Sequence, residues 1–373
     1  MRYRFDTCDL NAIETRVGAW LAQCSGLMEV FEPWTDPRGV YKRNGKCPYL
    51  SFGGKMYGMP FESLYADYEG WNGKERKGDA KRKRQVAKPG VLGAIYRLSG
   101  GMLLYVWLCP TCRHSWTTTG APTEESITCP VCPGEFRVSH ALQFTKKTGM
   151  WDYADKMGVE MSQEQATEVV RIFRDAYPEI CDPQVGIWKR LENAIADVMH
   201  PDHPATVRYI GPNNCVKIDR VNVVGRHPIM RMQLPSGRYL HYIDAHLAST
   251  KMPWRGTDED GEECDVFRDA LVYAGMNQKT KQWSPGITTH GGKEFENLVQ
   301  GIARDILAAK LLDFEAAGIP QVGHVHDEGI GLVIDDILSP TYHDMVDIMS
   351  TPVSWAPGLL LGADGYEEAY YHK

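Results

Sequence analysis

The sequence predicts a mixed α and β protein with antiparallel strands, flanking helices and a separate cysteine-rich module. Strand-like alternation over 205–248, around a Pro-Ser-Gly turn at 235–237, and a second strand pair over 321–334 indicate two hairpin regions. Apolar residues recur at helical spacing in several longer segments, and two Cys-x2-Cys pairs lie close together. A chain of 373 residues is long enough for two or three subdomains.

The first elements place an aspartate at a corner of the chain. Residues 2–8 are predicted to form a short strand, and Asn11 is a suitable cap for the helix that follows. The apolar positions of that helix are Ile13, Val17, Leu21 and Cys24. Asp9 therefore lies at a strand-to-helix junction, where we expect its carboxylate to be free of the strand ladder. Residues 31–80 are rich in Gly, Pro and Tyr and are predicted to hold short elements at best.

The middle of the chain contains three predicted helices. The first spans about 82–99 and includes Pro89, which is expected to kink or restart it. The second opens with a capping box of Ser162 and Gln165 and ends before Pro178. The third has its apolar positions at Ile187, Leu191, Ile195 and Val198.

The last clear helix is predicted over about 293–314, before the hairpin at 321–334. Its buried face is predicted to be Phe295, Leu298, Val299, Ile302 and Ile306. Asn297, Gln300 and Arg304 fall on another face, within about 60° of one another at about 100° per residue. Such a polar stripe suits either plain solvent exposure or contact with nucleic acid.

Charge is distributed unevenly along the chain. The net charge is −7, which by itself argues mildly against nucleic-acid binding. However, 74–97 contains nine Lys or Arg and two acids, whereas 313–373 contains eleven Asp or Glu and one Lys. A basic segment and an acidic segment in one chain suit the binding of a phosphate-rich substrate over metal ions. The 81–84 cluster alone can also be a solvent-exposed run of charges. No run of about 18 apolar residues and no signal peptide are apparent, so no membrane contact and a cytoplasmic location are expected.

Four of the ten cysteines form a metal-ligand pattern. The two Cys-x2-Cys pairs are separated by sixteen residues and consist of Cys109, Cys112, Cys129 and Cys132. This spacing predicts a zinc ribbon with one tetrahedral Zn²⁺, and four thiolates leave no open position, so the zinc is expected to be structural. The neighbouring Arg113, His114 and Trp116 are able to contact or stack on a nucleic-acid strand.

Two aspartates far apart in sequence suggest phosphoryl transfer. Asp9 ends the first strand, and Asp327 lies at the tip of the last hairpin within His326-Asp327-Glu328. Two carboxylates and substrate phosphates suffice to hold Mg²⁺, and two such ions form the minimal apparatus for in-line phosphoryl transfer. A lone aspartate at a strand end is more often a helix cap or turn residue, so each position is weak evidence by itself.

Three spaced motifs, in order, resemble those of family A DNA polymerases, the bacterial and phage replicative and repair enzymes. They are Asp9-x-x-x-Ile13-Glu14-x-Arg16 for motif A, Arg84-x-x-x-Lys88-x-x-x-Leu92-x-x-x-Tyr96 for motif B and Val325-His326-Asp327-Glu328 for motif C. The segments 234–238, 291–300 and 355–359 also look like phage members of the family. Three motifs in order are far more specific than any one of them, and the resemblance covers nearly the whole chain.

The resemblance implies a right-hand polymerase palm, which is an antiparallel sheet with flanking helices, together with helical fingers that carry the small zinc ribbon. It divides the chain into palm with motif A over 1–30, fingers over 31–200 and palm with motif C over 201–373. The ribbon is then an insertion in the fingers at about 105–137. The implied activity is deoxynucleotide addition to a primer on template DNA.

The family's functional residues carry over one by one. Two catalytic Mg²⁺ ions are implied at Asp9, Leu10 and Asp327, and the catalytic set also includes Glu328 and Lys88. The implied dNTP-binding residues are Glu14, Arg84, Lys88, Leu92 and Tyr96, and the primer or template contacts are Asn297, Gln300 and His326. Arg84 and Lys88 would contact the triphosphate, and Lys88 can also protonate the leaving pyrophosphate.

Some of these residues have simpler explanations or depart from the family. Glu14 would pair with Tyr96 and exclude a ribose 2′-hydroxyl, but a glutamate in a first helical turn also stabilises a helix dipole. The cations of motif B can be surface charges, and its apolar residues can be ordinary core. Leu92 replaces a usual aromatic residue, Arg97 replaces a common glycine, and Pro89 directly follows Lys88.

Rival functions differ in testable ways. A single-subunit RNA polymerase shares the palm, but the acidic residue at the sugar position argues against it. A non-catalytic DNA-binding accessory protein would not need the aspartate pair, and a zinc-ribbon adaptor would leave most of the chain unexplained. Because motif A begins near the first residue, we expect a second polypeptide to supply the thumb, the first palm strands and a possible exonuclease, with a truncated chain as the alternative.

Overall fold

The computed structural model describes residues 2–119, 122, 125–257, 263–277 and 280–371. The side chains of 252–257 and 263–264 are outside that description, including the thiol of Cys264. None of the described helices is long and apolar enough to cross a membrane.

Twelve α-helices are assigned in the described part of the chain. They are α1 (Ile13–Ala22), α2 (Ser25–Met28), α3 (Pro48–Tyr57), α4 (Phe61–Glu69), α5 (Lys74–Ala94), α6 (Val138–Ala141), α7 (Gly149–Lys156), α8 (Gln163–Ala176), α9 (Pro178–Cys181), α10 (Ile187–Met199), α11 (Gly291–Ala316) and α12 (Tyr342–Ser350). Short 3₁₀ helices occur at Glu29–Phe31 and Pro212–Asn214.

Seventeen strands are assigned in the same described residues. They are β1 (Tyr3–Leu10), β2 (Trp34–Thr35), β3 (Tyr41–Lys42), β4 (Leu103–Leu108), β5 (Ser115–Thr118), β6 (Ser126–Thr128), β7 (Glu135–Arg137), β8 (Leu142–Lys147), β9 (Arg208–Ile210), β10 (Val216–Val221), β11 (Ile229–Gln233), β12 (Tyr239–Thr257), β13 (Glu263–Met276), β14 (Trp283–Thr288), β15 (Gln321–Val325), β16 (Glu328–Ile334) and β17 (Ala363–Glu368). The predicted mixture of antiparallel sheets and helices is confirmed.

The chain divides into two compact units. Unit 1 consists of 1–48 and 177–373, and unit 2 consists of 49–176. Unit 1 is thus built from both ends of the chain, and the intervening 49–176 forms a unit of its own. The assignment of particular segments to palm and fingers stays a prediction.

The first sheet of unit 1, here called the acidic sheet, has the strand order β15-β16-β1-β17. Its β1 is central and pairs antiparallel with β16 on one side and β17 on the other. On one face of β1, Asp6, Cys8 and Leu10 are almost fully buried, and α12 packs against β1 and β17. At Gly365, opposite Cys8, a β-carbon would lie 2.6 Å from the Thr7 backbone carbonyl oxygen and 3.0 Å from Val346 of α12, so a larger residue would displace the backbone. The other face carries the odd-numbered residues of β1.

The second sheet of unit 1 has six strands in the order β14-β13-β12-β11-β10-β9. The predicted Pro-Ser-Gly turn joins β11 to β12, but the hairpin formed by β12 and β13 continues well beyond 248. The helices α10 and α11 pack together, and α10 also packs on this sheet. All five predicted core residues of α11 are fully buried, and so are Ile187, Leu191 and Val198 of α10. The two helices therefore follow the predicted apolar spacing.

Unit 2 combines helices with the cysteine module. The predicted capping box opens α8, where the Gln165 backbone N–H donates to Ser162 Oγ and the Ser162 N–H donates to Gln165 Oε1. The cysteine module is larger than the predicted 105–137, because β4 pairs with β8 as well as with β5. A separate pair, β6 and β7, completes it.

The N-terminal corner differs from the prediction. The first strand continues to Leu10, so Asp9 lies inside the ladder and is paired with Glu328 and Asp364. Asn11 does not cap α1, because the cap position is Ala12, whose φ of 50° is left-handed. The sequence pattern missed this extension because β1 gains partners on both sides from strands more than 300 residues away.

Two further predictions about local structure need correction. The segment 31–80, predicted to hold short elements at best, contains α3, α4 and the start of α5. The start of α5 was missed because a segment rich in Lys and Arg shows no apolar spacing to detect. Pro89 does not restart α5, which runs for 21 residues. Burial of the neighbouring Ala87 and Val91 overrides the local cost of the missing N–H.

Candidate active site

Three acidic side chains form one row across the acidic sheet. In the register of the strands, Asp9 of β1 lies directly opposite Glu328 of β16 and directly opposite Asp364 of β17. Residues that face each other across antiparallel strands project from the same face, with β-carbons about 5 Å apart. Like charges so placed repel one another, so the row favours either protonation or a bound cation.

Asp9 shows the electrostatic effect of this row. Desolvation of its carboxyl group raises the Asp9 pKa to about 6, and the nearby carboxylates of Asp327, Asp364 and Glu328 contribute in the same direction. A divalent cation would stabilise the ionised form and relieve this repulsion. The donor set therefore fits Mg²⁺, which prefers carboxylate and carbonyl oxygens.

Asp327 lies in the tight turn between β15 and β16, as predicted. His326, which precedes it, has a φ of 55°, so the turn uses a left-handed residue without a glycine. The Leu10 backbone N–H donates to the Asp327 carbonyl oxygen at 3.2 Å. This bond fixes the hairpin tip to the end of β1 and brings the two predicted metal-binding segments together.

Glu328 is the most enclosed acid of the row. Its side chain is 6% exposed, and its Oε2 accepts a hydrogen bond from the Tyr371 hydroxyl at 2.9 Å. This bond and the negative charge of Glu328 raise the Tyr371 pKa. Glu328 thus lies beside Asp9, and its membership of the catalytic set stays a prediction.

Asp364 is the acid that the sequence analysis missed. Its Oδ2 accepts from Asn11 Nδ2 at 2.8 Å, and its Oδ1 accepts from Asn44 Nδ2 at 3.4 Å. The Asn11 N–H also donates to the Gly362 carbonyl oxygen at 2.8 Å. The start of β17 therefore holds the residue that follows Leu10. The strand pattern around Asp364 was the signal available in the sequence. That β17 pairs with β1, which places Asp364 on the same face as Asp9, is not visible in the sequence.

Arg16 braces the same corner. Its guanidinium is buried and donates to the carbonyl oxygens of Asn11 at 2.7 Å, Leu360 at 3.0 Å and Asn44 at 2.7 Å. It also lies 4.3 Å from the Phe31 ring centroid. Burial lowers the Arg16 pKa to about 10, although the charge of Asp364 opposes this. These contacts fix the path of the chain directly after Asp9.

The predicted sugar and primer residues of unit 1 make specific contacts. Gln300 Nε2 donates to Glu14 Oε1 at 2.7 Å, which joins α11 to α1. Asn297 Nδ2 donates to the Tyr242 hydroxyl at 2.9 Å, so this predicted DNA contact is engaged with the six-stranded sheet. Gln300 is exposed, whereas Asn297 is only partly exposed. The polar stripe on α11 is therefore not a uniform solvent face.

The predicted nucleotide-binding cations lie together within unit 2. Arg84 and Lys88 of α5 both lie over the Tyr49 ring, at 5.1 Å and 5.8 Å from its centroid, and Arg84 also lies 5.7 Å from that of Tyr68. Cation–π contacts of this kind orient long side chains. Neither tyrosine was predicted from the sequence.

Motif B is only partly helical. Leu92 is in α5 and half-buried, but the helix ends at Ala94, and Tyr96 lies in the following turn with its N–H donating to Gly93. The prediction that Tyr96 continues one helix face with Arg84 and Lys88 is therefore wrong. The pairing of Tyr96 with Glu14 stays a prediction.

The four predicted zinc ligands converge. Their sulfur atoms all lie within 4.8 Å of one another, with Cys109 and Cys132 3.6 Å apart and Cys112 and Cys129 3.7 Å apart. Tetrahedral zinc with Zn–S bonds of about 2.3 Å requires sulfur separations of about 3.8 Å, whereas a disulfide requires about 2.05 Å. The Cys112 N–H donates to Cys109 Sγ, and the Val131 N–H donates to Cys129 Sγ. The cluster thus has the geometry of a metal centre.

Rings are aligned beside the cysteine cluster. Tyr105, Trp107, Trp116 and His114 follow one another with centroid separations of 6.2, 6.3 and 6.2 Å. Trp107 is fully buried, so it forms the small core of the module, while Trp116 and His114 are partly exposed. Contact of Trp116 and His114 with a nucleic-acid strand stays a prediction.

Comparison with known proteins gives one informative match. No protein-family model matches the chain. Over 191 residues, or 51% of this chain, it is 34% identical to a protein described as a DNA polymerase from Bacillus phage SP02. The chain spans 27% of the length of that relative. The predicted resemblance to a phage DNA polymerase is confirmed by this match.

Among solved structures, the chain is similar to the POL domain of Pol1 from M. smegmatis in complex with DNA primer-template and dNTP. The TM-score is 0.45 at 12% identity, and the match covers 98% of this chain and 39% of the other.

Proposed function

We propose that this chain is the catalytic part of a phage-type family A DNA polymerase, which adds deoxynucleotides to a primer 3′ end on a DNA template. The observation that carries the proposal is the meeting of Asp9 and Asp327, 318 residues apart in sequence, at adjacent ends of the acidic sheet. The phage relative supports the same conclusion. Primer-template DNA and dNTPs are the proposed partners.

The residues of unit 1 would hold two Mg²⁺ ions. Asp9, Asp327 and the Leu10 carbonyl are the proposed ligands, with Glu328 beside them. Metal ions bound by these residues would supply Lewis-acid activation of the primer 3′-hydroxyl and neutralisation of charge on the leaving pyrophosphate. The bond from the primer oxygen to the α-phosphorus forms as the bond to pyrophosphate breaks.

The proposed nucleotide-binding residues are Arg84, Lys88, Leu92, Tyr96 and Glu14. Arg84 and Lys88 contact the triphosphate, and Lys88 donates a proton to the pyrophosphate oxygen. Leu92 and Tyr96 pack on the sugar and base, and Glu14 occupies the space that a ribose 2′-hydroxyl would need. The shared contact of the two cations with one tyrosine ring supports a common role.

Primer and template contacts are proposed for Asn297, Gln300 and His326. One structural Zn²⁺ is proposed at the four-cysteine cluster, where the sulfur separations match a tetrahedral ion. A second polypeptide supplying the thumb, the first palm strands and a nuclease stays a prediction.

Primer extension by the purified chain, with any partner that it proves to need, tests the proposal. Asp9→Ala or Asp327→Ala should each lower incorporation about a thousandfold or more, because metal binding contributes several kcal/mol at the transition state. Asp347→Ala is the matched control, since this acid on α12 is 68% exposed and pairs with Arg43. Circular dichroism should show that all three variants remain folded.

The same assay separates the rival functions. Preferential extension with ribonucleotides would indicate an RNA polymerase. Template binding without pyrophosphate release would indicate a non-catalytic accessory protein. Near wild-type incorporation by a folded Asp9→Ala, Asp327→Ala double variant would refute a polymerase centre at these aspartates.

A further inference from the structure

The hydrogen bond between Gln300 and Glu14 connects a residue predicted to contact the primer or template with a residue predicted to select the sugar of the nucleotide. Glu14 lies in the first turn of α1, five residues after Asp9, and Gln300 lies in the third turn of α11. The two helices pack against each other through buried apolar residues. The Gln300 amide therefore reaches Glu14 from a rigid support, and the 2.7 Å separation of Nε2 and Oε1 is that of a strong bond.

The chemistry of the pair indicates that Gln300 positions the side chain of Glu14. An ionised glutamate only accepts hydrogen bonds, whereas a glutamine amide offers two N–H groups and one carbonyl oxygen. Glutamate is a flexible side chain that loses considerable rotamer freedom when it is fixed. A carboxylate that excludes a 2′-hydroxyl must occupy one position reliably, so a fixed donor beside it has a direct purpose.

We propose that Gln300 is a specificity-determining residue that positions Glu14 for the rejection of ribonucleotides. The inference rests on the proposed function, in which Glu14 closes the space at the sugar 2′ position. It adds that Gln300 acts through Glu14 in nucleotide selection, in addition to any contact with the primer or template. The second N–H and the carbonyl oxygen of the amide allow Gln300 to contact DNA while it holds Glu14.

A double-mutant cycle tests this assignment. The proteins are the wild-type chain, Gln300→Ala, Glu14→Ala and the double variant, with Leu312→Ala as control. Leu312 is on the same helix about three turns away and is 72% exposed. The measurement is the ratio of kcat/KM for one deoxynucleotide to that for the matching ribonucleotide, with the Kd for primer-template determined separately.

The expected result is non-additive. Glu14→Ala lowers the deoxynucleotide preference strongly, and Gln300→Ala lowers it about tenfold, as for the loss of a hydrogen bond to a charged group. The double variant has the same ratio as Glu14→Ala, because Gln300 has no side chain left to position. Leu312→Ala leaves the ratio unchanged.

Different outcomes overturn different statements. If Gln300→Ala weakens use of both nucleotides equally and leaves the ratio unchanged while Glu14→Ala changes it, Gln300 contacts only DNA and the inference is wrong. Additive effects on the ratio would also overturn it. If Glu14→Ala leaves the ratio unchanged, the proposed role of Glu14 fails, and the positioning role falls with it. Primer-template affinity separates a loss of DNA contact from a loss of selectivity.

Discussion

At the scale of single residues, the site is governed by where strand register places charge. Asp9 faces an acid on each neighbouring strand, and a third lies at the adjacent turn. Motif spacing predicted Asp9, Asp327 and Glu328. It did not predict Asp364, whose position depends on how β17 pairs with β1, and pairing register over such distances is not encoded in local sequence pattern.

Asp364→Asn should weaken divalent metal binding by about ten- to a hundredfold, the range typical for partners that orient metal ligands. The substitution removes one charge from the acid row and disturbs the bond from Asn11. Electron paramagnetic resonance titration with Mn²⁺ on the folded chain measures the change. Asp347→Asn removes an exposed acid from the same unit and serves as control. Equal Mn²⁺ affinity in the wild-type and Asp364→Asn proteins would contradict a role for Asp364.

Without added divalent metal, the contribution of Asp9 to stability should fall as the pH rises from about 4 to about 6. The Asp9 pKa is about 6 in the folded chain against an ordinary value of 3.8, so Asp9 binds more protons in the folded state than in the unfolded state in this window. The contribution of Asp9 to the free energy of unfolding therefore falls with rising pH and levels off above the folded pKa. Urea denaturation midpoints of the wild-type and Asp9→Asn proteins measure the difference.

In this comparison, the pH-dependent difference should be smallest at pH 4 and should grow towards pH 6. Added Mg²⁺ should then restore the stability of the wild-type protein above pH 6 and leave Asp9→Asn nearly unaffected. A wild-type midpoint that rises in parallel with that of Asp9→Asn across this window would show that Asp9 is not strained by its neighbours.

At the scale of elements, apolar spacing predicted helices correctly, whereas the charged start of α5 was not recognised as helical. The helices α8, α10 and α11 and the last hairpin were predicted because each buries one regular face. The start of α5 was missed because its residues are mostly Lys and Arg, and Tyr96 was wrongly extended onto the helix because i, i+4 spacing does not show where a helix ends. Helix ends depend on tertiary contacts that spacing alone cannot supply.

The cysteine module should contain one zinc ion. Cys129→Ser should reduce the zinc content of the purified protein from one equivalent to nearly none and destabilise the small sheets around β4, because a three-thiolate site binds far less tightly. Elemental analysis and thermal denaturation measure the two effects. Cys215→Ser, which removes a thiol from unit 1 outside the cluster, is the control. A zinc content that Cys129→Ser leaves unchanged would refute the assignment of this ligand.

At the scale of the whole molecule, the chain is two units, of which one contains both ends of the sequence. Unit 1 contains the acid row, and unit 2 contains the paired cations of α5 and the cysteine cluster. The phage relative is longer than the matched part, since the chain spans 27% of it.

We expect a second polypeptide that carries a polymerase thumb to increase primer extension by this chain. The thumb of a polymerase contributes contacts to the DNA backbone, and such contacts dominate affinity and its dependence on salt. Size-exclusion chromatography and primer extension with and without a co-expressed partner measure the effect. A monomer that extends primers processively by itself would refute the need for a partner.

The division of unit 1 between the two ends of the chain also has a consequence during translation. Both strands that flank β1 are synthesised more than 300 residues after it. At about 5–20 residues per second, Asp327 is synthesised roughly 15–60 s after Asp9. During that interval both edges of β1 lack their native partners, so the nascent chain is exposed to mispairing and to chaperones. Unit 2 is continuous in sequence and can fold before β16 and β17 are synthesised. The proposed catalytic centre therefore forms only after unit 2 has been made.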